Sequence, residues 1–229
     1  MALPKLNVPV YEAVLPSTET VIKFRPFLVK EEKVLLTAME DGSHNSMMNA
    51  IRNIIKNCVQ EEIDVNRLPL FDIEYLFLKL RSKSVGETAE IGLKCTCSEN
   101  AVTQVEINMD EINVVKPEGH ERKIMISDDV GIMLSYPVII TDGINEEDGM
   151  KIVKDCIDMI FTAEETHERD SFSSEELDTF IDSMDTKQFA KIRDFFDTMP
   201  KLQHTVNYTC SVCGEDKEIT LQGLDSFFG

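Results

Sequence analysis

Four of the six cysteines stand as two couples far apart in the chain, Cys95-Thr-Cys97 and Cys210-Ser-Val-Cys213. Each couple sits where an apolar, strand-like segment makes a turn, so the two read as halves of one four-thiolate metal site. One structural zinc ion is the expected occupant. Thiolate-rich tetrahedral sites are the usual structural zinc sites, and four protein ligands leave no open position for catalysis. Cys210-Ser-Val-Cys213-Gly214 has the C-x-x-C-G form of a metal knuckle, in which glycine adopts a backbone conformation that side chains resist and lets amides point at the sulfurs. Cys95-Thr-Cys97-Ser98 is one residue shorter and lacks the glycine. On an extended segment its two thiols would still face one side. A faint internal repeat links the halves: Cys97-Ser-Glu-Asn leads to Val-Glu-Ile-Asn, and Cys213-Gly-Glu-Asp leads to Glu-Ile-Thr-Leu. The alternative at these residues is two pairs of buried or free thiols in a reducing cell. A disulfide is least favoured, because residues 1–10 have neither the basic start nor the apolar run of a secretory signal.

Other groups that could do chemistry form no constellation. His44, His120, His167 and His204 are scattered, and the first, second and third lie in polar contexts that predict solvated side chains. His204 shares a strand face with Val206 and Tyr208, which makes it a conceivable substitute ligand. Neither a phosphate-binding loop, a dinucleotide fingerprint nor a nucleophile elbow is present. The run Asp142-Gly-Ile-Asn-Glu-Glu-Asp-Gly149 has calcium-loop composition without EF-hand spacing, and the start of a helix accounts for it better. Cys58 and Cys156 fall on apolar helical faces and read as core.

The elements that must position the two knuckles follow from periodicity. Prolines at 4 and 9 keep residues 1–10 extended. Residues 11–15 and 20–27 read as a hairpin. Helices are expected over 30–40 and 46–59, and from Pro69 to a stop at Gly86. The first knuckle lies between strands within 88–115, and a second hairpin turns at Ser127-Asp128-Asp129. Residues 148–161 read as one amphipathic helix with Ile152, Val153, Cys156, Ile157 and Ile160 on its apolar stripe, followed by an acidic loop over 163–170. Ser173-Ser-Glu-Glu176 and Asp185-Thr-Lys-Gln188 each place Glu or Gln three residues after the cap, which predicts two short helices. A strand over 202–208 then enters the second knuckle. The expected fold is α+β: helical layers, small antiparallel β elements and a split zinc ribbon formed by the two distant knuckles. We expect a single domain over 1–229, with an extended arm (1–10), a helical region (30–85), the split ribbon (88–115 with 202–223) and an excursion of β-hairpin and acidic helices (116–201).

Composition narrows the function. With 42 acidic and 23 basic residues the net charge is −19, a surface that repels phosphate backbones, so autonomous nucleic-acid binding is not expected. No segment approaches the roughly 20 apolar residues needed to span a bilayer, which predicts a soluble chain of ordinary core content. Phenylalanines gather in the final third among acids. Core packing of short helices is the simpler account, with a docking face for another protein as the alternative. Apolar residues at the chain ends, Leu3, Leu6 and Val8 in the arm and Leu224, Phe227 and Phe228 at the terminus, are candidate partner contacts.

The opening Ala2-Leu-Pro-Lys-Leu-Asn-Val-Pro9, then Leu15-Pro-Ser-Thr18, then Phe24-Arg-Pro-Phe-Leu-Val-Lys-Glu-Glu-Lys-Val-Leu-Leu36, resemble the T-even-type bacteriophage baseplate hub assembly protein family. The ending from Tyr208-Thr-Cys-Ser-Val-Cys-Gly through Phe228 is similar to that family's terminus. The chain departs from the family pattern at Cys95-Thr-Cys97, where a second C-x-x-C is expected. The resemblance implies a non-enzymatic late protein that builds the central hub of a contractile tail's baseplate. Its expected partners are other hub and tail proteins, not a membrane or a small-molecule substrate. It implies action in the host bacterial cytoplasm during assembly and presence in the finished particle as an open outcome. Two other classes stay open: an acidic zinc-ribbon adaptor in phage transcription or replication, which should show a basic stripe, and a hydrolase, which would need a pocket with a perturbed nucleophile.

Overall fold

A computed structural model of the chain describes residues 6–98, 100–138 and 146–228. The described residues divide into two units: Met1–Val115 with Lys201–Gly229, and Lys116–Pro200.

The first unit opens with the predicted hairpin, β1 (Tyr11–Val14) and β2 (Val21–Phe24), which pair antiparallel. Helix α1 (Val29–Asp41) starts where the Leu28 amide donates to Glu31 Oε2 at 2.9 Å and stops at Gly42. Gly42 has φ +68°, a left-handed conformation that glycine adopts without a Cβ penalty. Helices α2 (His44–Cys58) and α3 (Leu70–Val85) follow, α2 capped by Ser43 and α3 entered from Pro69. Their apolar faces, with Ile51, Ile54, Ile55, Ile73, Leu76 and Leu80, form the core with β-strand residues from both chain segments. Strands β3 (Thr88–Lys94) and β4 (Val102–Asn108) form a hairpin, and β5 (Asn113–Val115) leaves the unit.

The second unit is one continuous stretch. The expected hairpin is β6 (Lys123–Met125) with β7 (Gly131–Leu134). The single helix expected over 148–161 is corrected here. Helix α4 (Glu146–Cys156) ends at Cys156, and β8 (Ile157–Phe161) runs antiparallel to β7. Ile, Met and Phe suit a pleated surface as well as a helix, and a neighbouring strand supplies the ladder bonds. A register shift between Met133 and Leu134 places the extra residue in β8. Such a bulge lets Ile157 and Ile160, three apart, both pack into the core. The acidic stretch over 163–170 is also not simply a loop: it turns at Thr162–Glu165 into β9 (Thr166–Glu168), which pairs with β8.

Helices α5 (Ser174–Asp182) and α6 (Thr186–Thr198) carry both expected reciprocal caps. The Ser173 amide donates to Glu176 Oε2 at 2.7 Å while the Glu176 amide donates to Ser173 Oγ at 3.2 Å. At α6, the Asp185 amide donates to Gln188 Oε1 at 2.8 Å and the Gln188 amide to Asp185 Oδ1 at 2.8 Å. Phe195 is buried, and Phe172, Phe180, Phe189 and Phe196 pack around the same core. His120, expected in solvent, is buried instead: its ring stacks on Phe195 at 4.9 Å and on Tyr136 at 5.6 Å. Its two nitrogens lie 3.1 Å from Thr198 Oγ1 and 3.1 Å from Tyr136 Oη. Partners 16 and 78 residues away leave no mark on the local sequence. Burial, and then Lys116, hold the His120 pKa below the ordinary histidine value.

The chain re-enters the first unit as β10 (Lys201–Thr209), which pairs with β5 on one side and with β11 (Asp216–Gln222) on the other, and closes in the short helix α7 (Asp225–Phe228). Small antiparallel sheets with packed helices make the fold α+β, as expected. Among the described residues, no helix is long and apolar enough to cross a membrane.

Candidate metal centre

Two hairpins present the cysteines, and both have the form strand, turn, strand. In the first, the Cys95 amide donates to the Ala101 carbonyl at 2.8 Å and the Ala101 amide to the Ser98 carbonyl at 3.0 Å. Cys95 and Cys97 therefore project from the turn joining β3 and β4. They converge through that turn and not, as strand alternation suggested, from an extended segment. In the second, the Cys210 amide donates to the Glu215 carbonyl and the Gly214 amide to the Cys210 carbonyl, both at 2.9 Å. Gly214 has φ +72°, the conformation the C-x-x-C-G motif requires of its glycine.

Side chains sew the two turns together. The Ser211 amide donates to Thr103 Oγ1 at 3.0 Å, the Thr103 hydroxyl to Ser211 Oγ at 3.2 Å, and the Ser211 hydroxyl to the Val102 carbonyl at 3.4 Å. Tyr208 packs against Cys95, Ala101 and Cys210, and its hydroxyl donates to the Lys94 carbonyl at 3.4 Å. No motif marks Thr103, Tyr208 or Ser211 as part of a site. The one available signal is that each lies within a few residues of a cysteine couple.

The result is a four-sulfur cluster. All four Sγ atoms lie within 4.8 Å of one another, with Cys95 to Cys213 at 4.0 Å and Cys97 to Cys210 at 3.8 Å. Sulfurs held about 2.3 Å from a tetrahedral ion stand about 3.8 Å apart, so the cluster has the size of a ligand cage. It is too open for disulfides, which need about 2.05 Å, and all six cysteines are free thiols. Cys95 and Cys210 are buried; Cys97 and Cys213 are exposed.

Electrostatics agree with the geometry. Amides of Cys213 and Val212 aimed at its sulfur pull Cys210 down to about 6. Hydrogen bonds with Cys95, then burial and bonds with Cys213 and Cys210, push Cys97 up to about 12. Cys213 is drawn down by the Glu215 amide but ends raised, because burial and bonds with Cys210 and Cys95 oppose that pull. Four sulfurs this close resist ionising together, and a bound cation reverses that balance by favouring thiolate on each ligand. The cluster can hold a metal ion. Cys58 and Cys156 lie apart from it, and burial raises their pKa to about 11 and about 12, the signature of unreactive core thiols.

The remaining candidates are placed as follows. His204 sits within β10 opposite Leu221 and outside the cluster. Leu6 is 89% exposed and Val8 half-buried. Leu224 and Phe227 are 8% and 2% exposed and belong to the hydrophobic core of the first unit, where the Leu224 amide donates to Glu74 Oε1 at 3.3 Å. Their side chains pack within the chain. Leu3 and the Phe228 side chain lie outside the described residues.

Comparison with known families matches residues 8–229 to the family described as T4 bacteriophage base plate protein. No curated protein and no solved structure matches the chain.

Proposed function

The chain belongs to the T4 bacteriophage base plate protein family, and we propose that within it this protein is a non-enzymatic assembly factor or subunit of the central baseplate hub. The observation that carries the reading is the family match across nearly the whole chain. The N-terminal block that resembles hub assembly proteins supports the hub in particular. The protein works in the host cytoplasm by contacting other hub and tail proteins, and as a baseplate component it travels in the particle.

In this reading Cys95, Cys97, Cys210 and Cys213 hold one structural zinc, which makes the two hairpins a split zinc ribbon. When bound, the ion supplies a cross-link between sulfurs 118 residues apart in sequence, and its four ligands leave no site for a substrate. The knuckle amides hold Cys210 ready as a thiolate, Thr103 and Ser211 align the turns, and Tyr208 covers the buried pair. Partner contact falls to the arm, through Leu3, Leu6 and Val8. The acidic surface steers basic partner regions and discourages wrong contacts, while a few apolar anchors supply affinity.

The test is a phage carrying a null allele. Tail intermediates arrested before hub completion are expected, together with co-elution of the purified protein with another hub component and loss of that co-elution when residues 1–10 are deleted. Normal baseplates from the null phage would overturn the reading. Protein purified without chelator should contain about one equivalent of zinc, and a metal-free, fully folded chain would remove the ribbon from it.

A further inference from the structure

The sulfurs of the cluster are close across the two hairpins. Cys97 stands 3.8 Å from Cys210, and Cys95 stands 4.0 Å from Cys213. Each of these pairs joins an exposed thiol to a buried one: Cys97 and Cys213 are open to solvent, while Cys210 is 2% and Cys95 7% exposed. An exposed thiol meets an oxidant first, and its buried neighbour is in place to finish the reaction. The turns stay face to face through bonds that involve no cysteine side chain, from the Ser211 amide to Thr103 Oγ1 at 3.0 Å and from the Thr103 hydroxyl to Ser211 Oγ at 3.2 Å.

We propose that the cluster is a redox-sensitive joint, in which peroxide closes Cys97 on Cys210 and Cys95 on Cys213 and locks the two hairpins covalently. The joint requires only the sulfur placement and forms whether or not the zinc proposed above is bound beforehand. Peroxide transfers one oxygen to the sulfur of Cys97 or Cys213, leaving a sulfenic acid and water. The buried partner thiol then attacks that sulfur; the S–S bond forms as the S–O bond breaks, and the departing hydroxide takes up the partner's proton as a second water. Each disulfide thus consumes one peroxide, with the two electrons and two protons supplied by its two thiols. Closing the pairs from 3.8 and 4.0 Å to about 2.05 Å moves each sulfur by about 1 Å. A bound ion is released, because the thiolates that ligate it are consumed.

Pairing within the couples is disfavoured. Cys95 and Cys97 are one residue apart, in a turn whose backbone is held by the Cys95–Ala101 and Ala101–Ser98 bonds, and strained disulfides are easily reduced. A bond between Cys210 and Cys213 would leave that couple no other partner. The cross-pairs span 113 and 118 residues, so they restrict the unfolded chain far more than a bond within a couple. In a reducing compartment the thiols persist and can hold a metal. Oxidation replaces that joint, between the same two segments, with a covalent one.

The test treats the full chain, as purified, with about two equivalents of hydrogen peroxide, followed by alkylation and peptide mapping without reduction. Thiols titrated in denaturant should fall from six to two, with Cys58 and Cys156 surviving because both are buried. Fragmentation of the joined peptides should assign Cys97 to Cys210 and Cys95 to Cys213, and any bound zinc should appear in solution. The oxidised protein should unfold at a higher denaturant concentration than the reduced, metal-free chain. Any other pairing, sulfinic acids in place of disulfides, or six surviving thiols overturns the proposal. An unfolding midpoint at or below that of the reduced, metal-free chain overturns the role as a joint. Protein that contains no zinc yet forms both cross-pairs supports the joint and removes the zinc ribbon from the reading above.

Discussion

The two units keep their shape by different means. The first is assembled from two pieces of chain that meet where β10 pairs with β5 and where the four cysteines gather. The second is a single stretch whose helices are capped from within and whose core closes on a stacked His120, Tyr136 and Phe195. Joining distant segments carries a loop-closure cost that rises with the residues enclosed. The difference teaches that the cysteine cluster stands where the chain is discontinuous. The continuous unit relies on local caps and packing, and no cysteine cluster occurs in it among its described residues.

The sharpest way to break this comparison is to remove one thiol. If the proposed zinc is bound, Cys213→Ser forfeits binding free energy on the order of 10 kcal/mol, comparable to the whole stability of an ordinary domain. Hydrogen exchange should then show protection lost through the first unit and kept in α5 and α6. Equal loss in both units would show that they do not differ in this way. Chelation of the parent protein should reproduce the pattern.

Phe227→Ala comes next, because the side chain is almost wholly inside the first unit's core. Truncating a buried phenylalanine typically costs about 3–5 kcal/mol. Denaturant unfolding should show that loss in the first unit alone. A change below about 0.5 kcal/mol, the usual range for surface substitutions, would return the chain end to the surface.

In the second unit the contrast can be sharpened with pH. His120 is held neutral in the fold, its pKa below the ordinary value because of burial first and Lys116 second. The unfolded chain therefore binds a proton that the folded unit refuses. Stability contributed by this residue is full above the unfolded histidine value of about 6.5 and declines as pH falls below it. His120→Gln, which keeps a donor and an acceptor but cannot gain a proton, should flatten the slope between about pH 7.5 and 5. An unchanged slope would mean that another group sets it. Glu176, lowered by its bonds from Ser173, acts only at more acidic pH, as its carboxyl takes up a proton.

The smallest expected effects are at the caps. Ser173→Ala and Asp185→Ala should each cost about 1 kcal/mol, seen as reduced thermal stability of the second unit with the first unaffected. Because the two caps sit on separate helices, the losses should add.

Features that depend on a few neighbouring residues are legible in the amino-acid sequence alone. The hairpin over 11–24, the ends of α1 to α3, both capping boxes and the C-x-x-C-G turn are all set by contacts within about one helical turn or one hairpin. The boundary at Cys156 is not legible in this way, because Ile157–Phe161 satisfies both the helical and the strand pattern, and the choice belongs to β7, reached from residues 131–134. The aromatic gathering in the final third is readable as core, yet the histidine it encloses is not, since His120 sits among Pro, Glu and Gly and its partners are far along the chain.

By itself, the sequence determined that four cysteines stand in two turn-forming couples, that the surface is strongly acidic, and that the chain is an α+β protein with capped helices; each is a matter of composition or of short-range spacing. Only the tertiary structure decided that the two couples meet with all four sulfurs within 4.8 Å of one another, that Phe227 turns inward while Leu36 stays outside, and that His120 is buried. Those outcomes depend on which distant surfaces exclude water together, and burial of that kind is a property of the packed chain that no local spacing encodes.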